Sequence, residues 1–425
     1  MALVGKNSEK NNQNLMQLIR RAHGLVENPD LEKHRQSQDH IGELLGNSKE
    51  IQYRPVDIDG MDAEWVSVNR AHMKKYVILH CHGGGYSTGS SIYARTLTSK
   101  LAAGTSMDVL CFDYRLAPEH PYPAAAEDAM KAWNYLMLLG YGARDVIITG
   151  DSAGGNLALS LVLKLKEQER LFPRGIVLMS PWTDLTNSGK SYQTNFNRDP
   201  QFGGTTDNML FHSTYIGDAD PENPYISPLF GSFEQFPPIL FQVGSEEVLL
   251  DDTLRVAEKV RKTHGKLRVT VYEGMFHVFQ MALRLIPESR EAWDEVSHFL
   301  EIIYCIERKK EGKNRKTGKV RKGKKQERVM KITLVTVGKI KEKFYTDAIA
   351  EYAKRLSRYC KLEIIQVADE KTPDKASEAE ELQIKDKEGK RILEQIKDGA
   401  FVIVLAINGN MLDSVELAER MTSLA

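Results

Sequence analysis

Cysteine is scarce in this chain, and the scarcity excludes two common architectures. Cys81, Cys111, Cys305 and Cys360 stand far apart among 425 residues, with no CxxC pair. They offer neither a disulfide frame nor a zinc-ligand spacing, and read as free thiols in a reducing compartment. Long apolar runs are lacking too, and none approaches the ~20 residues that span a bilayer. Residues 1–13 are polar and hold no apolar h-region, so no secretory signal is expected. Net charge is also missing: 58 Lys+Arg balance 58 Asp+Glu. Whole-chain charge therefore says nothing about partners. These absences lead us to expect a cytoplasmic protein.

The composition that remains is that of a soluble globular chain, 41% hydrophobic and 27% charged. The length predicts two or more domains. Residues 1–50 read as an amphipathic helical segment, with Leu15, Leu18, Ile19, Ala22 and Leu25 at helical spacing. From Tyr76 onward short apolar runs alternate with helical patterns. The runs are 77–81, 108–114, 146–149, 175–179, 238–243 and 267–272, and the clearest helices are 156–168 and 254–262. This is the signature of βα units around a mostly parallel sheet. A helix over 289–304 closes the block.

The composition then changes abruptly. Residues 306–329 are dominated by Lys and Arg, with almost nothing apolar. Such a segment cannot bury enough surface to fold and is expected to be a disordered linker. Its other reading is a basic arm for nucleic acid. A second α/β block starts at Met330, with strands over 331–337, 362–367 and 401–406 and helices over 345–359, 377–396 and from 415.

The chemistry concentrates in the first block. Gly150-Asp151-Ser152-Ala153-Gly154 follows one predicted strand and precedes a helix. A turn this tight needs small residues around the serine and presents its Oγ near a helix N-terminus. His82-Gly83-Gly84-Gly85 directly follows the strand at 77–81. Such a loop brings backbone N–H groups close to a developing oxyanion. Gly83 and Gly84, with the amide of Ala153, are the expected donors. A serine hydroxyl also needs a base. His277 lies in a loop between the strand at 267–272 and a helix, and its position favours it over His80, His82, His120, His212 and His264. His80 is expected to be buried and His82 to shape the glycine loop. An acid that orients the base should lie after the strand at 238–243. Glu246, Glu247, Asp251 and Asp252 all stand there, and spacing does not choose among them.

The motifs His82-Gly83-Gly84-Gly85, Asp113-Tyr114-Arg115-Leu116-Ala117-Pro118-Glu119 and Gly150-Asp151-Ser152-Ala153-Gly154-Gly155-Asn156 together resemble the hormone-sensitive-lipase group of α/β hydrolases, which includes bacterial carboxylesterases. The resemblance covers residues 70–300. It implies an α/β-hydrolase fold over 51–305, with residues 1–50 as a helical cap and 202–216 adding to it. It implies a serine esterase acting on small, short-chain carboxylic esters, with no metal and no cofactor. The group's acid opens an acid-x-Leu-x-Asp motif. Glu247-Val248-Leu249-Leu250-Asp251 matches it, so the resemblance assigns the acid to Glu247, with Asp251 and Glu246 in reserve. Oligomeric state is not readable, and a homodimer stays open.

Residues 330–425 resemble the start of the bacterial rRNA large-subunit methyltransferase H, a SPOUT-class enzyme. The matching runs are Met330-Lys331-Ile332-Thr333-Leu334-Val335-Thr336-Val337-Gly338, Ala350-Glu351-Tyr352-Ala353-Lys354-Arg355-Leu356 and Lys387-Glu388-Gly389-Lys390-Arg391. Leu405 matches one S-adenosylmethionine-contacting position. The family's glycine-rich cofactor loop and knotted end would follow Ala425. We therefore expect a truncated SPOUT-type fragment that binds no S-adenosylmethionine and meets rRNA or ribosome only if it is functional. Met330 reads as a native start, so the chain also fits two neighbouring genes read as one. The readings that compete with a carboxylesterase are a non-enzymatic hydrolase-fold receptor and an rRNA-modifying protein with a hydrolase appendage.

Overall fold

A computed structural model describes residues 2–4, 9–26, 30–70, 72, 75–315, 330–339, 346, 349–350, 353–354, 357, 360–370, 378–396 and 400. Two compact units result, the first from Met1–Met137 and Tyr141–Gly318, the second mainly from Lys319–Ala425.

The first unit opens with β1 (Ala2–Val4), α1 (Glu9–Val26) and α2 (Leu31–Gly46). A hairpin follows, β2 (Ile51–Ile58) and β3 (Met61–Val68), then β4 (Val77–Cys81), α3 (Arg95–Thr105) and β5 (Asp108–Phe112). Next come α4 (Ala124–Leu138), β6 (Val146–Asp151), α5 (Ala153–Glu167), β7 (Gly175–Met179) and the single turn α6 (Ser191–Thr194). The unit ends with β8 (Ile239–Gly244), α7 (Leu250–Lys262), β9 (Leu267–Tyr272) and α8 (Pro287–Arg315). All nine strands join one sheet, in the order β1-β9-β8-β7-β6-β4-β5-β3-β2. β2 pairs antiparallel with β3 and β3 with β5. Every other pairing is parallel. This is the α/β-hydrolase architecture that the motifs imply.

The central strands are apolar without alternation because both faces of the sheet are covered. Ile78, Val109, Ile147, Val177 and Leu240 share one cluster with Leu97 and Leu101 of α3 and Val296, Phe299 and Ile303 of α8. α5 packs on β4, β6 and β7, and α7 on β8 and β9. Each such aliphatic side chain, fully buried, stabilises by roughly 1.5–3 kcal/mol.

The hairpin 51–68 and the edge strand β1 are additions to the expected strands. The hairpin had a readable signal, Asp59-Gly60, whose positive φ angles (52° and 78°) suit a tight two-residue turn between twisted strands. On α1 the apolar face agrees with the expected one at Ile19 and departs from it at Leu18. Leu18 is 62% exposed, whereas Met16 and Ile19 pack on Tyr272, Met275, Phe276 and Phe279. α8 also runs through Arg315, ten residues into the expected linker. Extending a helix already packed at its N-terminal end costs little, because nucleation has been met. The rest of the linker, 316–329, lies outside the described residues. Among the described residues no helix is long and apolar enough to cross a membrane.

The second unit holds β10 (Met330–Val337) and β11 (Cys360–Val367), paired in parallel from Met330↔Cys360 to Val337↔Val367. A parallel pair needs a crossover connection, and residues 349–350 and 353–354 between the strands are helical. Helix α9 (Glu378–Leu393) follows, tied to the chain beyond β11 by Arg391, which donates to the Ala368 carbonyl at 2.8 Å and pairs with Glu370. The strand expected at 401–406, the helix from 415 and Leu405 lie outside the described residues.

Candidate active site

The site forms where β6, β7 and β8 end. β6 finishes at Asp151 and α5 begins at Ala153, so Ser152 is the whole connection. Its φ of 53° and ψ of −124° are strained for a residue with a side chain. Four backbone bonds hold that conformation. The Ser152 amide donates to the Met179 carbonyl at 3.0 Å, and the Ser152 carbonyl accepts from Gly155, Asn156 and Trp182 at 3.0–3.2 Å. Small residues are compulsory here. A β-carbon on Gly154 would run into the Cys81 and His82 carbonyls, and one on Gly150 into the Gly154 carbonyl. Ser152 is buried, 6% exposed.

His277 follows β9 in the loop before a 3₁₀ segment and is 4% exposed. Its Nδ1 lies 2.9 Å from Glu247 Oε2. Glu247 itself is fully buried. Its other oxygen, Oε1, accepts from the Ser180 hydroxyl at 2.7 Å and from the Gly244 amide at 2.5 Å. The structure therefore separates the four candidate acids. Glu246 turns outward to Arg198 at 2.5–2.8 Å. Asp251 accepts the Ser191 amide at the start of α6. Asp252 accepts the amides of Thr183 and Asp184 at 2.7 and 2.8 Å, and burial holds its carboxyl well above the usual range.

The glycine loop needs one correction. Gly83, expected to donate to an oxyanion, donates instead to Asp151 Oδ1 at 3.1 Å. An amide committed to a buried carboxylate is not available to a reacting oxygen. Gly84 and Gly85 adopt positive φ angles of 118° and 62°, as the sharp turn requires. The loop is fixed from below by His82, which stacks on Tyr114 at 4.1 Å and bonds the Gly83 carbonyl at 2.8 Å. Burial pushes His82 down to about 4, so it is a neutral spacer near pH 7. The Tyr114 hydroxyl donates to the His82 carbonyl at 2.8 Å. His80 is buried beside Thr149, with Nδ1 2.8 Å from its hydroxyl. His120 lies in a bend and His264 in the turn just beyond the end of α7.

Helix α1 reaches the site. Arg20 donates to the Asp199 carbonyl at 3.3 Å, and His23 sits edge-on to Phe202 at 5.9 Å. Phe202 in turn packs edge-on against His277 at 5.0 Å. Met209 fills the space beside Gly85. Helix α2 is anchored by Arg35, which donates to the Ser87 and Ala117 carbonyls and pairs with Glu119 at 2.8 Å. The Asp113–Glu119 run therefore serves as scaffold. Among the described residues no cluster of His, Cys, Asp and Glu could hold a metal. Ser180 escaped the sequence reading because a serine before a proline carries no spacing signal.

A strained serine between strand and helix, a histidine against a buried glutamate, and a neighbouring glycine loop make up a hydrolase-type site. Residues 78–281 match the family described as alpha/beta hydrolase fold. An esterase of Acinetobacter venetianus is 37% identical over 261 residues, covering 61% of this chain and 86% of that protein. An acetyl-hydrolase of Streptomyces hygroscopicus is 34% identical over 64% of this chain and 90% of its own. A crystal structure of an esterase from the bacterial hormone-sensitive lipase family superposes with a TM-score of 0.64 at 29% identity, over 69% of this chain and 98% of that one. The chain belongs to the α/β-hydrolase family, in its hormone-sensitive-lipase-like branch. Residues 330–425 match a second family, predicted SPOUT methyltransferase. There the ribosomal RNA large subunit methyltransferase H of Bifidobacterium adolescentis is 63% identical over 95 residues, and this chain spans 60% of its length.

Proposed function

We propose that this protein hydrolyses short-chain carboxylic esters with Ser152 as nucleophile, His277 as base and Glu247 as the orienting acid. The observation that carries the reading is the 2.9 Å contact between His277 Nδ1 and the buried Glu247 carboxylate, in the loops beside the strained Ser152 turn. With Nδ1–H donated to Glu247, the lone pair of the imidazole is on Nε2, where a base for Ser152 needs it. Ser152 attacks the ester carbonyl, and His277 takes its proton and returns it to the leaving alcohol. Water then cleaves the acyl-enzyme by the same route in reverse. Glu247 stabilises the imidazolium formed in both steps. Ala153 and Gly84 donate to the oxyanion. Gly85 replaces Gly83 as the third donor, because Asp151 holds the Gly83 amide.

Two features support a short acyl group. One relative is an acetyl-hydrolase, and a related esterase, 30% identical with a TM-score of 0.64, was crystallised and soaked with p-nitrophenyl butyrate. Phe202 and Met209 also crowd the base and the glycine loop. The reaction uses only side chains, backbone amides and water, on a small-molecule ester in the cytoplasm. No step is assigned to residues 330–425. The test is p-nitrophenyl acetate and butyrate hydrolysis by the full chain and by Ser152→Ala. Removing a triad nucleophile typically costs on the order of 10⁶ in kcat. Turnover near that of the parent enzyme in Ser152→Ala would refute the assignment.

A further inference from the structure

We infer that Ser180 is a positioning residue of this site, whose hydroxyl locks the Glu247 carboxylate and the backbone of the His277 loop into one arrangement. The inference rests on the Ser152–His277–Glu247 reading. Ser180 directly follows β7, is fully buried, and holds a φ of 50° that few residues other than glycine adopt. Its amide donates to the Gln242 carbonyl on β8 at 2.7 Å. Its hydroxyl has two partners from two different loops. It donates to Glu247 Oε1 at 2.7 Å and accepts from the Val278 amide at 3.1 Å.

The direction of these bonds is forced. Val278 N–H can only donate, so the hydroxyl proton must go to the carboxylate. A chain of donors thus runs from the loop that carries the base, through Ser180, into the acid. Each bond polarises the next, and the last is charge-assisted. Val278 has particular need of an anchor. It is β-branched and sits at a φ of 47°, a genuine outlier for such a residue. Its neighbour His277 is aimed by that backbone.

Glutamate has a second reason to need the clamp. It has one more rotatable bond than aspartate, so a carboxylate held only by His277 would swing. Ser180 and the Gly244 amide together occupy Oε1 and leave Oε2 to the imidazole. The other groups around the pair do not replace this. Asn195 bonds the Glu247 backbone carbonyl, Asp199 accepts the Val248 amide, and Phe202 offers only a ring edge to His277.

The experiment uses the full chain with p-nitrophenyl butyrate and compares Ser180→Ala, Ser180→Gly and Ser152→Ala. Loss of a hydrogen bond to a charged group predicts a fall in kcat of about 10- to 100-fold, with KM unchanged within about twofold. A carboxylate deprived of a donor makes the His277–Glu247 pair hold its proton more tightly. The acidic limb of the kcat profile should therefore move up by about half a pH unit or more. Glycine tolerates the positive φ, so Ser180→Gly should lose as much kcat as Ser180→Ala while melting at a higher temperature than Ser180→Ala. A parent-like kcat in Ser180→Gly overturns the inference. So does a fall that only tracks lost folded protein, or one without the limb shift. If Ser152→Ala is silent while Ser180→Gly is fully active, this inference fails alone. If Ser152→Ala is active, the triad reading fails first.

Discussion

Glu247→Gln is the substitution for which the structure makes the sharpest demand. Glutamine matches glutamate in shape, so packing is preserved and only the hydrogen-bond inventory changes. Two donors, the Ser180 hydroxyl and the Gly244 amide, converge on the Oε1 position at 2.7 and 2.5 Å. The carbonyl oxygen of glutamine must take that position, because an NH₂ there would face two donors in a fully buried site. Its NH₂ is thereby forced toward His277 Nδ1, where the carboxylate oxygen now lies at 2.9 Å. Nδ1 then has to accept, and the ring proton moves to Nε2. His277 becomes a donor facing Ser152 instead of a base. The equivalent wrong-tautomer change in a serine protease lowers kcat about 10⁴-fold, on the order of 5 kcal/mol of transition-state stabilisation. We expect the same order here, with the melting temperature nearly unchanged. The assay is steady-state hydrolysis of p-nitrophenyl butyrate at pH 8, with Glu246→Gln and Asp251→Asn as companions. These two should stay near the parent rate, because Glu246 pairs outward with Arg198 and Asp251 caps a helical turn. A Glu247→Gln enzyme within tenfold of the parent, or a large loss confined to either companion, would show that the acid is elsewhere.

Gly154→Ala should destabilise the fold by about 1–3 kcal/mol or more. The new methyl would meet the Cys81 and His82 carbonyls, which are backbone atoms of a buried strand end and cannot step aside. Urea midpoints would measure it, and a parent-like midpoint would contradict the geometry. The pH dependence of stability should contain two opposed contributions. Burial lowers His82 to about 4, so between about pH 4 and 6.5 the unfolded chain binds the extra proton. His82 thus contributes stability above its unfolded pKa that is lost as pH falls through that window. Burial raises Asp113 to about 6, so between about pH 4 and 6 the folded chain binds the extra proton. Asp113 therefore contributes stability at low pH that is lost as pH rises. The two slopes offset, each approaching about 1.4 kcal/mol per pH unit. Asp113→Asn removes one of them, so its urea midpoint should climb more steeply from pH 4 to 6.5 than the parent's. Parallel curves would show that Asp113 titrates normally.

What could be read beforehand, and what could not, divides along a physical line. The six parallel strands 77–81 through 267–272 were visible because burial on both sheet faces leaves an unbroken apolar run. In the hairpin 51–68, β2 is largely exposed and β3, though mostly buried, mixes Asp62, Glu64 and Ser67 with its apolar residues, so only the Asp59-Gly60 turn could have marked it. The places of Ser152 and His277 in the fold were legible, since a strand-to-helix turn and a loop after the last strand each allow little freedom. The acid was not. Glu246, Glu247, Asp251 and Asp252 leave the same strand end within seven residues, 246–252, and side-chain direction there depends on how the loop turns, which spacing does not encode. The family pattern could point to Glu247, but what singles it out lies in Ser180 and Gly244, whose donors hold one oxygen of Glu247 and leave the other against His277. The glycines show the same limit from the other side. Gly83, Gly84 and Gly85 are identical as letters, and a loop of three promises two or more free amides without saying which. The discrimination comes from Asp151, which reaches across from the nucleophile turn and takes the Gly83 amide at 3.1 Å. A residue within the serine motif thus holds the glycine loop, so the serine turn and the glycine loop are one structural unit although 68 residues separate them.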